Sequence, residues 1–166
     1  EQQLAEELSE LAKVDDRQRP PNWRLSPWAV PIYILGGKLD SGFEVAPKYI
    51  GQRRLVEIAI ATLATDRALL LLGVPGTAKT WLGEHLAAAI SGDSTLHVQG
   101  TAGPAEEAIP YGWNYASLLA KGPSREAITP SPVMRAMQNG KIARVEELTR
   151  IPSHVQDTLI TILSEK

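Results

Sequence analysis

The chain of 166 residues contains no cysteine, which excludes disulfides, iron–sulfur clusters and zinc sites built on thiolates. It also has little charge of one sign, since 17 basic residues face 19 acidic ones and the net charge is −2. No apolar run approaches the roughly 18 residues that a membrane span needs. We therefore expect a cytoplasmic protein whose partners include neither a membrane nor nucleic acid.

Composition divides the chain into three segments. Residues 1–21 begin with Leu4, Leu8 and Leu11 at helical spacing, which predicts a helical arm over 1–14 and then a polar linker. This helix either packs on its own domain or docks on a partner. Residues 22–47 are rich in aromatic residues and proline, and we expect them to pack against the main domain.

Residues 48–166 alternate between apolar runs of strand length and longer segments of helical period. The predicted strands are 68–72, 95–98 and 142–145, and the predicted helices are 52–65, 79–91, 111–120, 133–138 and 152–164. Residues 122–132 are predicted to be loop. This alternation predicts an α/β fold built on a parallel sheet.

A phosphate-binding loop is predicted at residues 73–80, where Gly73, Val74, Pro75, Gly76, Thr77, Ala78, Lys79 and Thr80 follow a predicted strand and open a predicted helix. Glycines allow backbone N–H groups to converge on phosphate oxygens, and the helix N-terminus favours an anion. Lys79 would reach the β- and γ-phosphates of ATP, and the Thr80 hydroxyl would bind Mg²⁺. Alanine replaces the usual glycine before the lysine, which we interpret as harmless at a helix start.

Two further residues are weighed beside this loop. Trp81 follows it directly and either packs beneath the loop or stacks on adenine. Thr101, after the second predicted strand, is a candidate sensor of the γ-phosphate.

A pair of carboxylates, Glu146 and Glu147, follows the third predicted strand. Glu146 would hold the water shell of Mg²⁺, and Glu147 would activate the water that attacks the γ-phosphate. Neighbouring residues of an extended strand point in opposite directions, which gives the two acids separate roles. The alternative is a solvated strand end whose acids pair with Arg144 or Arg150.

In combination these segments resemble the MoxR-type AAA+ ATPases, in the broader group that includes McrB-like and dynein-like modules. The resemblance covers residues 48–166: 49–52 resembles the box that surrounds adenine, 73–80 the Walker A loop, and 133–140 the approach to Walker B. Residues 146–152 resemble the Walker B stretch and 155–159 the helix after it. It implies a P-loop NTPase core and adenine contacts from Ile50 and Gly51.

The resemblance also implies parts that residues 48–166 do not match: a sensor strand, an arginine finger and a helical lid. We therefore expect an incomplete core, ending after the Walker B helix. Family members usually form hexameric rings that remodel a protein partner, often one with a von Willebrand A domain.

Three functions remain open at this point. The first is an ATP-hydrolysing remodelling module, in which Lys79 and Glu147 are the catalytic residues. The second is a nucleotide-gated scaffold that binds ATP with little or no hydrolysis. The third is a P-loop kinase, which ranks last because the chain shows no basic lid.

Overall fold

The computed structural model describes residues 2–65, 67–100, 109 and 111–164. The chain divides into two compact units, one up to Ser94 and one from Thr95 onward. The described residues of the first unit form four helices and two short strands: α1 Gln2–Val14, α2 Ala29–Leu35, β1 Gly37–Lys38, β2 Glu44–Val45, α3 Arg53–Ala64 and α4 Lys79–Ser91. Nothing in the described part of the chain is a helix long and apolar enough to cross a membrane.

Helix α2 is the centre of the first unit. It packs against α1, α3 and α4, and its side chains Val30, Tyr33 and Ile34 are fully or almost fully buried. Pro31 is tolerated because it lies in the first helical turn, where a backbone N–H has no partner inside the helix. The segment 22–47, which matches no motif, thus supplies the support for the helix that follows the phosphate loop.

Helix α1 packs within the first unit, since Leu8 and Leu11 are buried and the helix contacts α2. Asp15, the first residue of the predicted linker, is buried as well. Its carboxylate accepts hydrogen bonds from the backbone N–H of Ser26 at 2.7 Å and from the Ser26 hydroxyl at 2.6 Å. These bonds fix the end of α1 against the chain that leads into α2, because a buried carboxylate needs such donors.

The expected strand over residues 68–72 is wrong. No strand among the described residues includes this run, and Leu70 and Leu72 are 62% and 82% exposed. An apolar run indicates only that burial would be favourable. A strand forms when a neighbour also supplies the ladder of backbone hydrogen bonds.

The described residues of the second unit form four strands and three α-helices: β3 His97–Gln99, β4 Tyr111–Trp113, α5 Tyr115–Lys121, β5 Ile128–Pro130, α6 Pro132–Asn139, β6 Arg144–Glu146 and α7 Ser153–Ser164. Strands β3 and β6 pair in parallel, with Gln99 opposite Glu146. Ile109, Ile151 and Val155 form a buried cluster against which Val145 and Leu159 pack. The parallel pair confirms part of the predicted sheet.

The other pair of strands in this unit corrects two predictions. Residues 111–113 were expected to begin a helix and 128–130 to be loop, yet they form the antiparallel pair β4–β5. Helix α5 begins only after Asn114, whose side chain accepts a hydrogen bond from the Ser117 N–H at 3.2 Å. Asn114 is an ordinary helix N-cap, so the boundary was readable in the sequence.

Candidate nucleotide-binding site

The loop before α4 contains two residues with a left-handed backbone, Gly76 and Ala78. Gly76 has φ +83°, a conformation that glycine adopts without strain. Ala78 is also left-handed, with φ +56° and ψ +26°, and is the N-cap of α4. The expectation that alanine is comfortable at this position is therefore wrong, because a Cβ in this region costs about 1–2 kcal/mol.

The side chains of the loop bond to its own backbone. The Lys79 ammonium donates to the Val74 carbonyl at 2.7 Å and to the Thr77 hydroxyl at 3.3 Å. The Thr77 hydroxyl donates to the same carbonyl at 2.8 Å. A Cβ on Gly73 would lie 3.2 Å from the Thr77 hydroxyl oxygen, so glycine keeps the turn tight. The ammonium is thereby held over the loop, on the exposed side where an anion could replace the carbonyl.

A cleft of about 510 Å³ opens beside the loop. Residues 48–50 line it from one side and residues 76–78 from the other. Its volume lies within the range of about 300–1,000 Å³ that small-molecule sites occupy. The structure therefore brings the predicted adenine box and the predicted phosphate loop to one cavity.

Ile50 and Gly51 occupy different places at this cleft. Ile50 is 94% exposed and lines the cleft. Gly51 is not one of its lining residues, and a Cβ there would come 2.5 Å from the ring of Tyr49. Glycine at 51 thus allows the Tyr49 ring to fold back over the chain.

Trp81 joins the two sides of the cleft. Its indole N–H donates to the Lys48 carbonyl at 2.8 Å, and its ring meets His85 edge-on with centroids 4.5 Å apart. The Nδ1 atom of His85 lies 3.1 Å from the Tyr33 hydroxyl. Burial raises the pKa of Tyr33 to about 12 and lowers the pKa of His85, so both are neutral near pH 7.

The carboxylate pair lies in the second unit, at the carboxyl end of β6. Glu146 is the last residue of this strand. Its carboxylate lies 2.5 Å from the Nη1 atom of Arg144, and both side chains are largely buried. The two residues are spaced by two along an extended strand and therefore share a face.

Glu147 turns out of the strand rather than continuing it. Its φ of +52° is left-handed, so the argument from strand alternation does not apply to its side chain. Its carboxylate accepts a hydrogen bond from Arg150 at 2.8 Å, and both side chains are exposed. Both acids are thus paired with the arginines that the sequence suggested as the alternative.

Metal binding in the described residues would depend on few protein ligands. They contain no group of three or more His, Asp or Glu side chains that could hold a metal ion. Mg²⁺ keeps several waters and takes few protein ligands, so a single hydroxyl can take part in binding it. The exposed Thr80 is a residue that could contribute. Thr101 lies outside the described residues.

Sequence reasoning missed Glu7 and Lys48, which form a buried ion pair next to the cleft. A signal for Glu7 was present, because an acid at position 7 lies on the same helical face as Leu4, Leu8 and Leu11. The sequence held no comparable signal for its partner.

The loop and the cleft together indicate a P-loop nucleotide-binding fold. Comparison with known proteins agrees with this class. The AAA domain family (dynein-related subfamily) matches residues 68–166. The chain belongs to this family. It has a mixed α/β structure with a small parallel sheet, and AAA domains in general bind ATP.

One relative is the Uncharacterized protein YehL of Escherichia coli (strain K12), which is 47% identical over 162 residues. The match covers 98% of this chain and 44% of that protein, so the chain spans less than half of its relative's length. No solved structure matches the chain at a significant level.

Proposed function

We propose that the chain is the ATP-binding part of a MoxR-type AAA+ ATPase, which in the full-length protein hydrolyses ATP to remodel or assemble a protein partner. The observation that supports it most is the cleft between residues 48–50 and residues 76–78. Family membership alone indicates nucleotide binding. The cleft adds a cavity of suitable size at the place where that nucleotide would bind.

In this proposal the adenine occupies the cleft beside Ile50, and the phosphates follow the loop toward Thr80. The Lys79 ammonium exchanges its bond to the Val74 carbonyl for bonds to phosphate oxygens, which bind a cation more strongly than a neutral carbonyl does. Trp81 supports the cleft from α4 through its bond to Lys48. Little backbone change is needed, because Gly76 and Ala78 already have left-handed conformations.

Hydrolysis would require Glu147 to take a proton from the water that attacks the γ-phosphorus, while the bond to the β–γ bridging oxygen breaks and ADP leaves. Mg²⁺, when bound, would neutralise charge on the phosphate oxygens. Thr80 would contribute a hydroxyl to it, and Glu146 would accept hydrogen bonds from its water shell. Both carboxylates would first have to exchange their arginine partners.

The partner and the assembly are proposed from the family resemblance. We propose a homo-hexameric ring in the cytoplasm that acts on a protein partner, with a von Willebrand A domain protein as the first one to examine. Neither a membrane nor a nucleic acid is part of this proposal.

The proposal is tested by binding of Mg-ATP to the full-length protein and to its Lys79→Ala variant. Loss of the ammonium should weaken binding at least about tenfold, or 1.4 kcal/mol. Lys38→Ala is the matched control, because Lys38 is exposed on β1 and lines no part of the cleft. Equal calorimetric affinity of Lys79→Ala and the unaltered protein would refute the phosphate-loop assignment.

A second candidate function is a nucleotide-gated scaffold that binds ATP with little or no hydrolysis. The largely buried pairing of Arg144 with Glu146 favours it, because a carboxylate already neutralised by an arginine is a weaker partner for Mg²⁺ waters. Turnover measured in the full-length protein separates the two functions. Release of phosphate that Lys79→Ala abolishes supports the ATPase, and binding without release supports the scaffold.

A further inference from the structure

The side chain of Lys48 is buried although it belongs to a wall of the cleft. Only 4% of the Lys48 side chain and 2% of the Glu7 side chain are exposed, and the Lys48 ammonium pairs with a Glu7 carboxylate oxygen. The ammonium also lies 4.8 Å from the centroid of the Tyr33 ring and donates to the Ala46 carbonyl. Lys48 therefore points into the unit, and Glu7 of α1 is its counter-charge.

The backbone of the same wall is attached to two other helices. The N–H groups of Lys48 and Tyr49 both donate to the Ile34 carbonyl at the end of α2, at 2.8 and 3.0 Å. The Lys48 carbonyl accepts the bond from Trp81 of α4. Side-chain and backbone bonds thus connect residues 48–49 to α1, α2 and α4 within one unit.

We propose that Glu7 is a positioning residue for nucleotide binding: through the buried Lys48 ammonium it holds the wall of residues 48–50 in place, so that α1 is part of the nucleotide site. Glu7 is not itself a lining residue of the cleft, and it acts through its ion pair with Lys48. This inference rests on the proposed function, because it assigns the cleft to a nucleotide.

The energetic reason is that the ion pair fixes a segment that is otherwise exposed. Ile50, at the end of the wall, is 94% exposed, and loop segments with little burial open at low cost. A buried charge that loses its partner must be solvated, so removing Glu7 would draw the Lys48 ammonium toward water and move the wall with it. Preorganisation of this kind raises affinity without adding a contact to the ligand.

The first test compares the calorimetric affinity for ATP of the full-length protein with that of Glu7→Gln and Glu6→Gln. Glu6 carries the same charge one residue earlier on α1 and is exposed, so it is the matched control. We expect at least about fivefold weaker binding for Glu7→Gln, the lower end of ordinary coupling between sites. Glu6→Gln should bind as the unaltered protein does. A folded Glu7→Gln with unaltered affinity would overturn the inference.

The second test needs no substitution at the ion pair and decides the matter if Glu7→Gln fails to fold. If α1 positions the site, then bound ATP stabilises the docking of α1 by the same factor. At an ATP concentration that fills the unaltered protein and leaves Lys79→Ala largely empty, hydrogen exchange of the α1 amides should slow at least about fivefold in the unaltered protein and much less in the variant. Calorimetric binding of ATP without slower exchange in α1 would overturn the inference while leaving the proposed function intact. Absence of ATP binding would overturn both.

Discussion

The amide of Gly100 donates a hydrogen bond to the Glu146 carbonyl at 2.8 Å, and this bond extends the β3–β6 pairing by one residue past the strand ends. No side chain fits at Gly100. A Cβ there would lie 2.4 Å from the carbonyl oxygen of Glu147 and 2.8 Å from that of Glu146. The backbone that carries the two carboxylates is therefore placed by a glycine on the neighbouring strand.

Gly100→Ala should destabilise the chain by about 1–3 kcal/mol, the usual cost of forcing an extra methyl group into a packed site. The backbone at Glu146 and Glu147 must shift to relieve the contact. The substitution should therefore accelerate hydrogen exchange more in β3 and β6 than in α6. Urea unfolding measures the first effect and exchange the second. An unaltered free energy of unfolding would contradict the close approach.

Ala78→Gly should stabilise the chain by up to about 1.6 kcal/mol. The gain is the relief of about 1–2 kcal/mol of left-handed strain, less about 0.4–1 kcal/mol for the greater freedom of glycine in the unfolded chain. Ala88→Gly is the matched control, because Ala88 lies inside α4, where glycine costs about 1 kcal/mol. The melting temperature should rise in Ala78→Gly and fall in Ala88→Gly. A lower melting temperature of Ala78→Gly would contradict the left-handed φ of this residue.

The stability of the first unit should fall as the pH falls below 6.5, the pKa of an ordinary histidine. Burial lowers the pKa of His85, and Lys48 lowers it further, while Glu84 and Glu7 oppose the shift. The unfolded chain therefore binds a proton at a higher pH than the folded one, so stability is fully present above pH 6.5 and is lost as pH falls through the folded pKa. Trp81 and Tyr33 contact the ring as neutral groups.

The measurement is the free energy of unfolding between pH 8 and pH 5 for the unaltered chain, His85→Gln and His97→Gln. The loss on acidification should shrink in His85→Gln. It should persist in His97→Gln, because His97 is exposed in the second unit. Equal pH dependence of the free energy of unfolding in all three proteins would show that the pKa of His85 is the same in the folded and the unfolded chain.

Glu147→Gln should leave ATP binding intact and abolish turnover in the full-length protein, because the amide keeps the size of the side chain and removes the basic oxygen. Glu146→Gln should instead raise the Mg²⁺ concentration needed for activity. Glu126→Gln is the control, since Glu126 is an exposed acid of the same unit that is paired with Lys121. Hydrolysis at the unaltered rate by Glu147→Gln would contradict the role of Glu147 as the base and leave the two acids as a charged strand end paired with arginines.

Local signals predicted the elements that depend on local structure. Helix α4 has the predicted bounds, because an alanine- and leucine-rich run ends at Gly92, whose φ of +70° closes the helix. The pairing of β3 with β6 joins residues 47 positions apart, yet short apolar runs before a glycine and an acid pair sufficed to predict both strands. Two other predictions failed: residues 68–72 form no strand although their run is apolar, and residues 111–113 and 128–130, predicted as helix and loop, pair as strands.

The same distinction between local and long-range signals applies to the candidate site. The phosphate loop is a continuous motif that the sequence itself suggests, whereas its placement beside Ile50 was implied only by the family resemblance. The ion pair of Glu7 with Lys48 joins residues 41 positions apart, and nothing local specifies which charge a buried acid will meet. The left-handed Ala78 was misjudged for a related reason, since a residue at the start of a helix is helical or left-handed according to the loop before it.

The run of residues 68–72 has a practical consequence for the protein in solution. It consists of alanine and four leucines, carries no charge and no proline, and exposes Leu70 and Leu72 outside any strand. Extended apolar segments of this kind pair readily with the same segment of another molecule and nucleate aggregates. Replacing Leu70 by lysine would place a charge in the middle of the run and should improve recovery of soluble protein, since a gatekeeping charge opposes such self-pairing.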